Sequence, residues 1–194
     1  MFSPFPLPVK CYADGVDRRI SIADAAIALI ARDGLRGLTH RAVDRHLRLP
    51  DGSASYYFRT REALIAAATE RLVDLDSTDV ARTAPDPESI SRLVGTWLGS
   101  RRRERLRARF ELFLAAGRSP AARPILDARR RLLAQVTEVM RQAGASEPRR
   151  AALAVMVAVD GLLLAGMLGG RVSVRDRTAV LAPIIEEIRR GGHR

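Results

Sequence analysis

Apolar residues recur along most of the chain at intervals of three and four, the spacing of one face of an α-helix. The alternating Val/Thr/Tyr runs that mark half-buried strands are hard to find. Ile20, Ala23, Ile27 and Ile30 form the first stripe, and Asp33-Gly34 with Leu35 beyond supplies a glycine C-cap, so a helix is predicted over 17–33. Thr39 is then a good N-cap, flanked by Leu38 and Val43 at the positions of a hydrophobic staple, which predicts a helix over 40–47 that buries Ala42, Val43 and Leu47. Arg48-Leu49-Pro50 ends it, because proline excludes the helical conformation from the residue before it. A third, short helix restarts at Asp51 and needs Ala54 and Phe58 as anchors, since a helix of this length is not stable alone. Thr60, with Glu62 in the first turn, opens a long helix whose Leu64, Ala68, Leu72 and Leu75 make one stripe out to about residue 79.

The stretch from Thr83 to Glu88 contains two prolines and reads as a loop. From Ser89 the helical pattern resumes, broken at Gly99-Ser100, Gly117 to Pro120, Gly144 to Pro148 and Gly169-Gly170, which makes five more helices. The expected fold is all-α with about nine helices: a loose arm over 1–16, where three prolines alternate, a three-helix head over 17–62, and a helical body over 63–194. The apolar run Ala151 to Gly170 is long enough to cross a bilayer, but Asp160 at its centre would cost about 3 kcal/mol there, so it reads as a buried helix and no membrane is expected. It is apolar on almost every face and has to be covered on several sides. Either it is the central helix of a monomer, or one side faces its own domain and another a second subunit, with two-fold symmetry the simplest solution. The expected seam of such a homodimer comprises Leu153, Val157, Gly161, Leu164 and Leu168, joined by Leu181, Ile184 and Ile188 from a last helix over 174–190.

Composition changes this picture in three ways. Of the residues, 47% are hydrophobic and 28% charged, so neither a disordered tail nor a fibrous repeat fits. The net charge of +11 makes an anionic partner, nucleic acid or membrane surface, the first thing to consider. The single cysteine, Cys11, excludes an internal disulfide and a Cys-based zinc site, so a reducing cytoplasm is the plain reading. Lys10 is the only lysine beside the arginines, which has the look of a compositional bias. The charge is also unevenly spread. Residues 17–61 hold nine Arg and five Asp, whereas 101–109 hold six Arg and one Glu, a patch that reads as a solvated helix face, with a phosphate contact or an acidic ligand as alternatives. Catalysis has little material: the histidines are His40, His46 and His193, and no phosphate-cradling glycine loop with lysine exists. No catalytic residue, cofactor or metal is expected; the enzyme reading that survives uses a carboxylate such as Glu111.

Residues 39–58 place a helix of about eight residues, a turn of about three and a second short helix, the spacing of a helix-turn-helix whose second helix enters the major groove. Its exposed face would offer Ser53, Ser55, Tyr56 and Tyr57, with Gly52 allowing close backbone approach. Arg41 and Arg61, at the starts of the flanking helices, could reach phosphate, and so could the Thr39 hydroxyl. His40 could touch phosphate or simply face solvent. Short helix pairs also occur in ordinary bundles, and a sequence-indifferent basic nucleic-acid binder is a further alternative.

The run Ala31-Arg-Asp-Gly-Leu-Arg-Gly-Leu-Thr-His-Arg-Ala-Val43, then Pro50-Asp-Gly-Ser-Ala-Ser-Tyr-Tyr-Phe58 and Thr60-Arg-Glu-Ala-Leu64, resembles the N-terminal domain of tetracycline-repressor (TetR) family regulators over about residues 18–72. The resemblance implies that Asp51–Tyr57 is the recognition helix, that Arg61 contacts phosphate and that Phe58 packs the head. It further implies a double-stranded DNA operator, a four-helix dimer interface, a cytoplasmic, nucleoid-associated bacterial setting and a small-molecule effector held in the middle helices, where Trp97, Phe110, Phe113 and Leu114 lie. The implied function is that of a ligand-responsive repressor acting on a pseudo-palindrome. Two departures stand out: many members have a basic residue where Asp51 stands and an aromatic where Ser55 stands, and Asp51 can instead cap the helix.

Overall fold

The computed structural model describes residues 9–84, 86–100 and 102–191, and of 9–16 and 187–191 the backbone alone. Nine α-helices and no strand are found among the described residues: α1 Val9–Gly37, α2 His40–Leu47, α3 Ser53–Tyr57, α4 Arg61–Ala81, α5 Pro87–Leu98, α6 Arg103–Ala116, α7 Pro124–Gln142, α8 Pro148–Met167 and α9 Val174–Gly191, with a 3-10 turn at Pro120–Ala122.

The caps read from the sequence do the work expected of them. The Thr39 hydroxyl accepts from the Ala42 amide at 3.1 Å and the Thr60 hydroxyl from the Ala63 amide at 3.0 Å, each satisfying a donor that the first turn leaves without a partner. Leu38 and Val43, the staple, are both fully buried. Gly34 stands at φ +66°, a conformation L side chains rarely adopt, and interrupts α1 where the sequence places its end. The start of α1 differs. It lies at Val9, inside the segment read as a loose arm, because the alternating prolines stop at Pro8 and none bars the helix beyond. Residues 1–8 of that arm lie outside the described residues.

Two buried clusters hold the chain together. The first gathers Ile22, Leu29 and Ile30 of α1, Val43 of α2, Ala54 of α3 and Leu64 and Leu72 of α4, and continues into Ala108 and Leu112 of α6 and Ile125 of α7. The second joins Val94 and Trp97 of α5, Leu106 of α6, Met140 of α7, Leu163 of α8 and Leu181 of α9. Packing therefore does not divide at residue 62, the expected domain boundary: α1 lies along α6 as well as α4, so the head and the near half of the body share one core. α4 runs from one cluster to the edge of the other.

Candidate functional site

The α2–turn–α3 unit is held by Asp44, a residue the sequence reading passed over. Its side chain is fully buried, and its two carboxylate oxygens accept from the Gly52 amide at 2.9 Å and the Ala54 amide at 2.7 Å. These are charge-assisted bonds to the otherwise unpartnered donors at the start of α3, so Asp44 caps that helix from α2. Gly52, at φ +92°, is the N-cap residue itself; Asp51 is exposed and does not cap, which corrects that option and starts the helix at Ser53 instead. The signal was available: an aspartate in the last turns of a short helix, within reach of a glycine-bearing turn.

Around this joint the expected contact residues sort themselves. Tyr56 is 81% exposed and Tyr57 half-buried, their rings edge to face at 5.2 Å. The Ser53 hydroxyl donates to the Pro50 carbonyl at 2.6 Å and that of Ser55 to the Gly52 carbonyl at 2.8 Å, which leaves their oxygens as acceptors toward a ligand. Thr39 and Arg41 are exposed, and Arg41 makes no ion pair among the described residues. Two expectations are corrected. His40 brings its Nε2 to 2.6 Å from the Phe58 carbonyl, which can only accept, so this nitrogen carries the hydrogen and ties α2 to the end of α3. Arg61 is turned inward: its guanidinium donates to the Leu38 carbonyl at 3.0 Å and to that of Leu35, bracing the turn between α1 and α2 and not facing outward to phosphate. Arg18, not singled out before, stands with Tyr56, Tyr57, Gly52 and Leu49 around an open hollow of about 410 Å³. Its neighbour Arg19 covers the Phe58 ring at 4.4 Å and donates to the Tyr57 carbonyl. His46 is exposed near the turn, and His193 lies outside the described residues.

On the far side, α8 leaves Leu153, Val157, Gly161, Leu164 and Leu168 exposed, spaced four, four, three and four residues apart and so on one stripe. Val174 and Val180 of α9 are exposed as well. α8 is long and apolar enough by composition to cross a membrane, although a third of that stretch is buried against its own chain and Asp160 is ion-paired to Arg129. The seam expected on α9 needs correction. Leu181 is fully buried in the chain's own core and Ile184 packs against it, because the most apolar stripe of α9 is the one its own chain uses; Ile188 lies outside the residues whose side chains are described.

Between α4, α5, α6, α7 and α8 lies a cavity of about 570 Å³. Of the four residues expected around an effector, Trp97 and Phe113 line this cavity, Phe110 packs into the second core, and Leu114 is 69% exposed on the outer side of α6. The helical period explains the difference, since Arg109 and Phe113, four apart, share the face toward the cavity. The arginine run before it is neither a solvated face nor a phosphate patch along its whole length. Asp76 of α4 receives Arg105 at 2.9 Å and Arg109 at 2.9 Å; Asp79 receives Trp97 Nε1 at 2.9 Å, Arg105 at 3.2 Å, and Arg102. The Arg109 guanidinium lies 3.9 Å over the Trp97 ring. Burial opposes the charge of Asp79 more than any other single influence, yet the hydrogen bonds from Trp97 and Arg102 and the two arginine charges together hold its carboxyl below the ordinary range. Arg103 and Arg107 are exposed, and Arg101 lies outside the described residues. Glu111, the carboxylate considered for catalysis, is exposed beside Gly34 and does not line the cavity.

A short helix presented by a turn, on a helical body with an internal cavity, defines a helix-turn-helix DNA-binding protein with a sensor-type body. The chain belongs to the TetR family: residues 22–68 match the model of bacterial regulatory proteins of the tetR family, and residues 86–191, over half the chain, match that of the tetracyclin repressor-like C-terminal domain. It is a DNA-binding transcriptional regulator of a ligand-responsive family whose members are regulators and not enzymes. No curated protein sequence matches it. Among solved structures, a transcriptional regulator from Rhodococcus sp. Rha1 is similar with a TM-score of 0.77 at 20% identity, the match covering 89% of this chain and 96% of that one. A TetR-family member from Streptomyces coelicolor A3 gives 0.71 at 30% identity over 87% and 98%. The multidrug binding protein EbrR complexed with ethidium gives 0.66 at 30% identity over 86% and 98%.

Proposed function

We propose that this regulator is a homodimeric repressor that reads a pseudo-palindromic operator through α3 and is released by a small molecule in the cavity. The observation that carries the reading is the presentation of α3: five residues too short to persist alone, fixed by the buried Asp44, with Tyr56 almost fully in solvent. Tyr56, Arg18, Arg41 and the hydroxyls of Thr39, Ser53 and Ser55 form the contact face. The α8 stripe supports the dimer, since a contiguous row of exposed Leu and Val on one helix marks an interface, and a second copy covers it with the same residues. Two linked heads then bind far more tightly than one.

Release follows from linkage. The cavity wall includes Val73, Asp76 and Val80 of α4, whose first half is embedded in the core of the head. A ligand that prefers one placement of α4 weakens DNA binding by its differential affinity for the two placements. Solved relatives are complexed with ethidium and with choline, which supports an effector role for this cavity. The test is a gel-shift titration of DNA upstream of the protein's own gene against random duplex of equal length at one salt concentration. A preference of roughly 10³-fold or more is expected. Equal affinities with a steep salt slope would identify a sequence-indifferent basic binder instead.

A further inference from the structure

The cavity is polarised, and its charge has one sign left over. Five of its lining residues are exposed: Ser77 and Ala81 of α4, Ala84 of the following loop, and Arg131 and Gln135 of α7. They mark a mouth between α4 and α7. The buried residues of the wall are Ile90, Trp97, Ile125, Met140, Val155 and Met156, together with Arg109, whose charge is paired with Asp76. The two carboxylates on the wall are both taken: Asp76 by Arg105 and Arg109, Asp160 by Arg129. Drawing either toward a cationic ligand would strand an arginine in a partly or fully buried place, which is costly. Arg131, at the mouth, has no ion-pair partner among the described residues.

Building on the effector reading above, we infer that the cavity takes an anionic amphiphile, an apolar body carrying one carboxylate, with its tail against the deep wall and its head at Arg131. The apolar interior supplies affinity in proportion to the surface it takes from water, and the lone guanidinium at the rim fixes orientation and sign. The chain's net charge of +11 works in the same direction, drawing anions toward it and repelling cations.

The experiment uses the full chain and three probes of equal chain length, dodecanoate and dodecylamine below their micellar concentrations and dodecanol below its solubility limit. Trp97 is the single tryptophan and lines the cavity, so its emission reports occupancy, and calorimetry gives an independent reading. Dodecanoate is expected to bind about tenfold more tightly than dodecylamine. Arg131→Gln is expected to reduce dodecanoate affinity about fivefold, toward that of dodecanol. Tighter binding of dodecylamine, an unchanged dodecanoate-to-dodecanol ratio in Arg131→Gln, or no binding of any probe by both readouts would overturn the inference. Each of those results leaves ligand-free operator binding untouched. Failure of the protein to prefer its operator with no amphiphile present would instead sink the regulator reading.

Discussion

Asp44 and Tyr56 divide the labour of the head: one sets the position of α3 from below, and the other stands in solvent where the proposed reading has it meet the groove. Asp44→Asn keeps one acceptor oxygen and turns an amide donor toward a backbone donor, so it should cost about 1–3 kcal/mol, lower the melting temperature by several degrees and weaken operator binding together. Tyr56→Ala removes a side chain that is 81% exposed and touches the fold through Tyr57, so it should abolish operator binding in a gel shift while leaving the melting temperature and the oligomeric state as they are. Unchanged affinity in that variant would remove Tyr56 from the contact face. The contrast also shows what could be read from residues alone. Thr39, Thr60, Leu38 and Val43 were legible because caps and staples are local and act within four residues of themselves. Asp44 left one sign, an aspartate late in a short helix before a glycine-bearing turn, and His40 and Arg61 left none: each bonds to backbone eight or more residues away, and nothing in the spacing separates an arginine facing phosphate from one facing a carbonyl.

At the scale of elements, periodicity located the helices and misjudged some of their faces. α2 occupies the expected residues and Gly34 the expected break, yet on α9 the most apolar stripe belongs to the chain's own core, and on α6 the aromatic spacing pointed half its members away from the cavity. A hydrophobic stripe shows that a helix buries a face; it does not show against what. The α8 stripe has no such cover among the described residues. Val157→Asp is therefore expected to leave the fold intact and convert dimer to monomer in light scattering, with operator affinity falling at least tenfold. A dimer that survives this change would place the interface elsewhere. The α4–α6 connection has its own signature in pH. The Asp79 carboxyl is held below its ordinary value of 3.8, so its stabilising charge is present above that value and lost as the pH falls through the lowered one. Asp79→Asn should melt below the unaltered protein near neutral pH, and the gap should narrow as the pH falls below 3.8 and through the lowered value; a gap that stays constant would mean the charge contributes nothing.

For the whole molecule, function is a matter of what one core transmits. The head is not a separate domain hung on a linker, since Leu112 of α6 and Ile125 of α7 sit in the same cluster as Leu29 and Leu64, and Ile125 also lines the cavity. The cavity and α3 are thus joined by packed side chains, the route by which the proposed ligand would act on the two heads of the proposed dimer. The central claim is that two such heads, paired across α8, read a symmetric sequence. Selection of bound duplexes from a random-sequence pool by the full-length protein tests it most directly. The expected product is one enriched motif with two inverted half-sites whose centres lie about one helical turn, or a whole multiple of it, apart. A pool that stays random after selection, or an enriched single half-site with no inverted partner, would contradict the account.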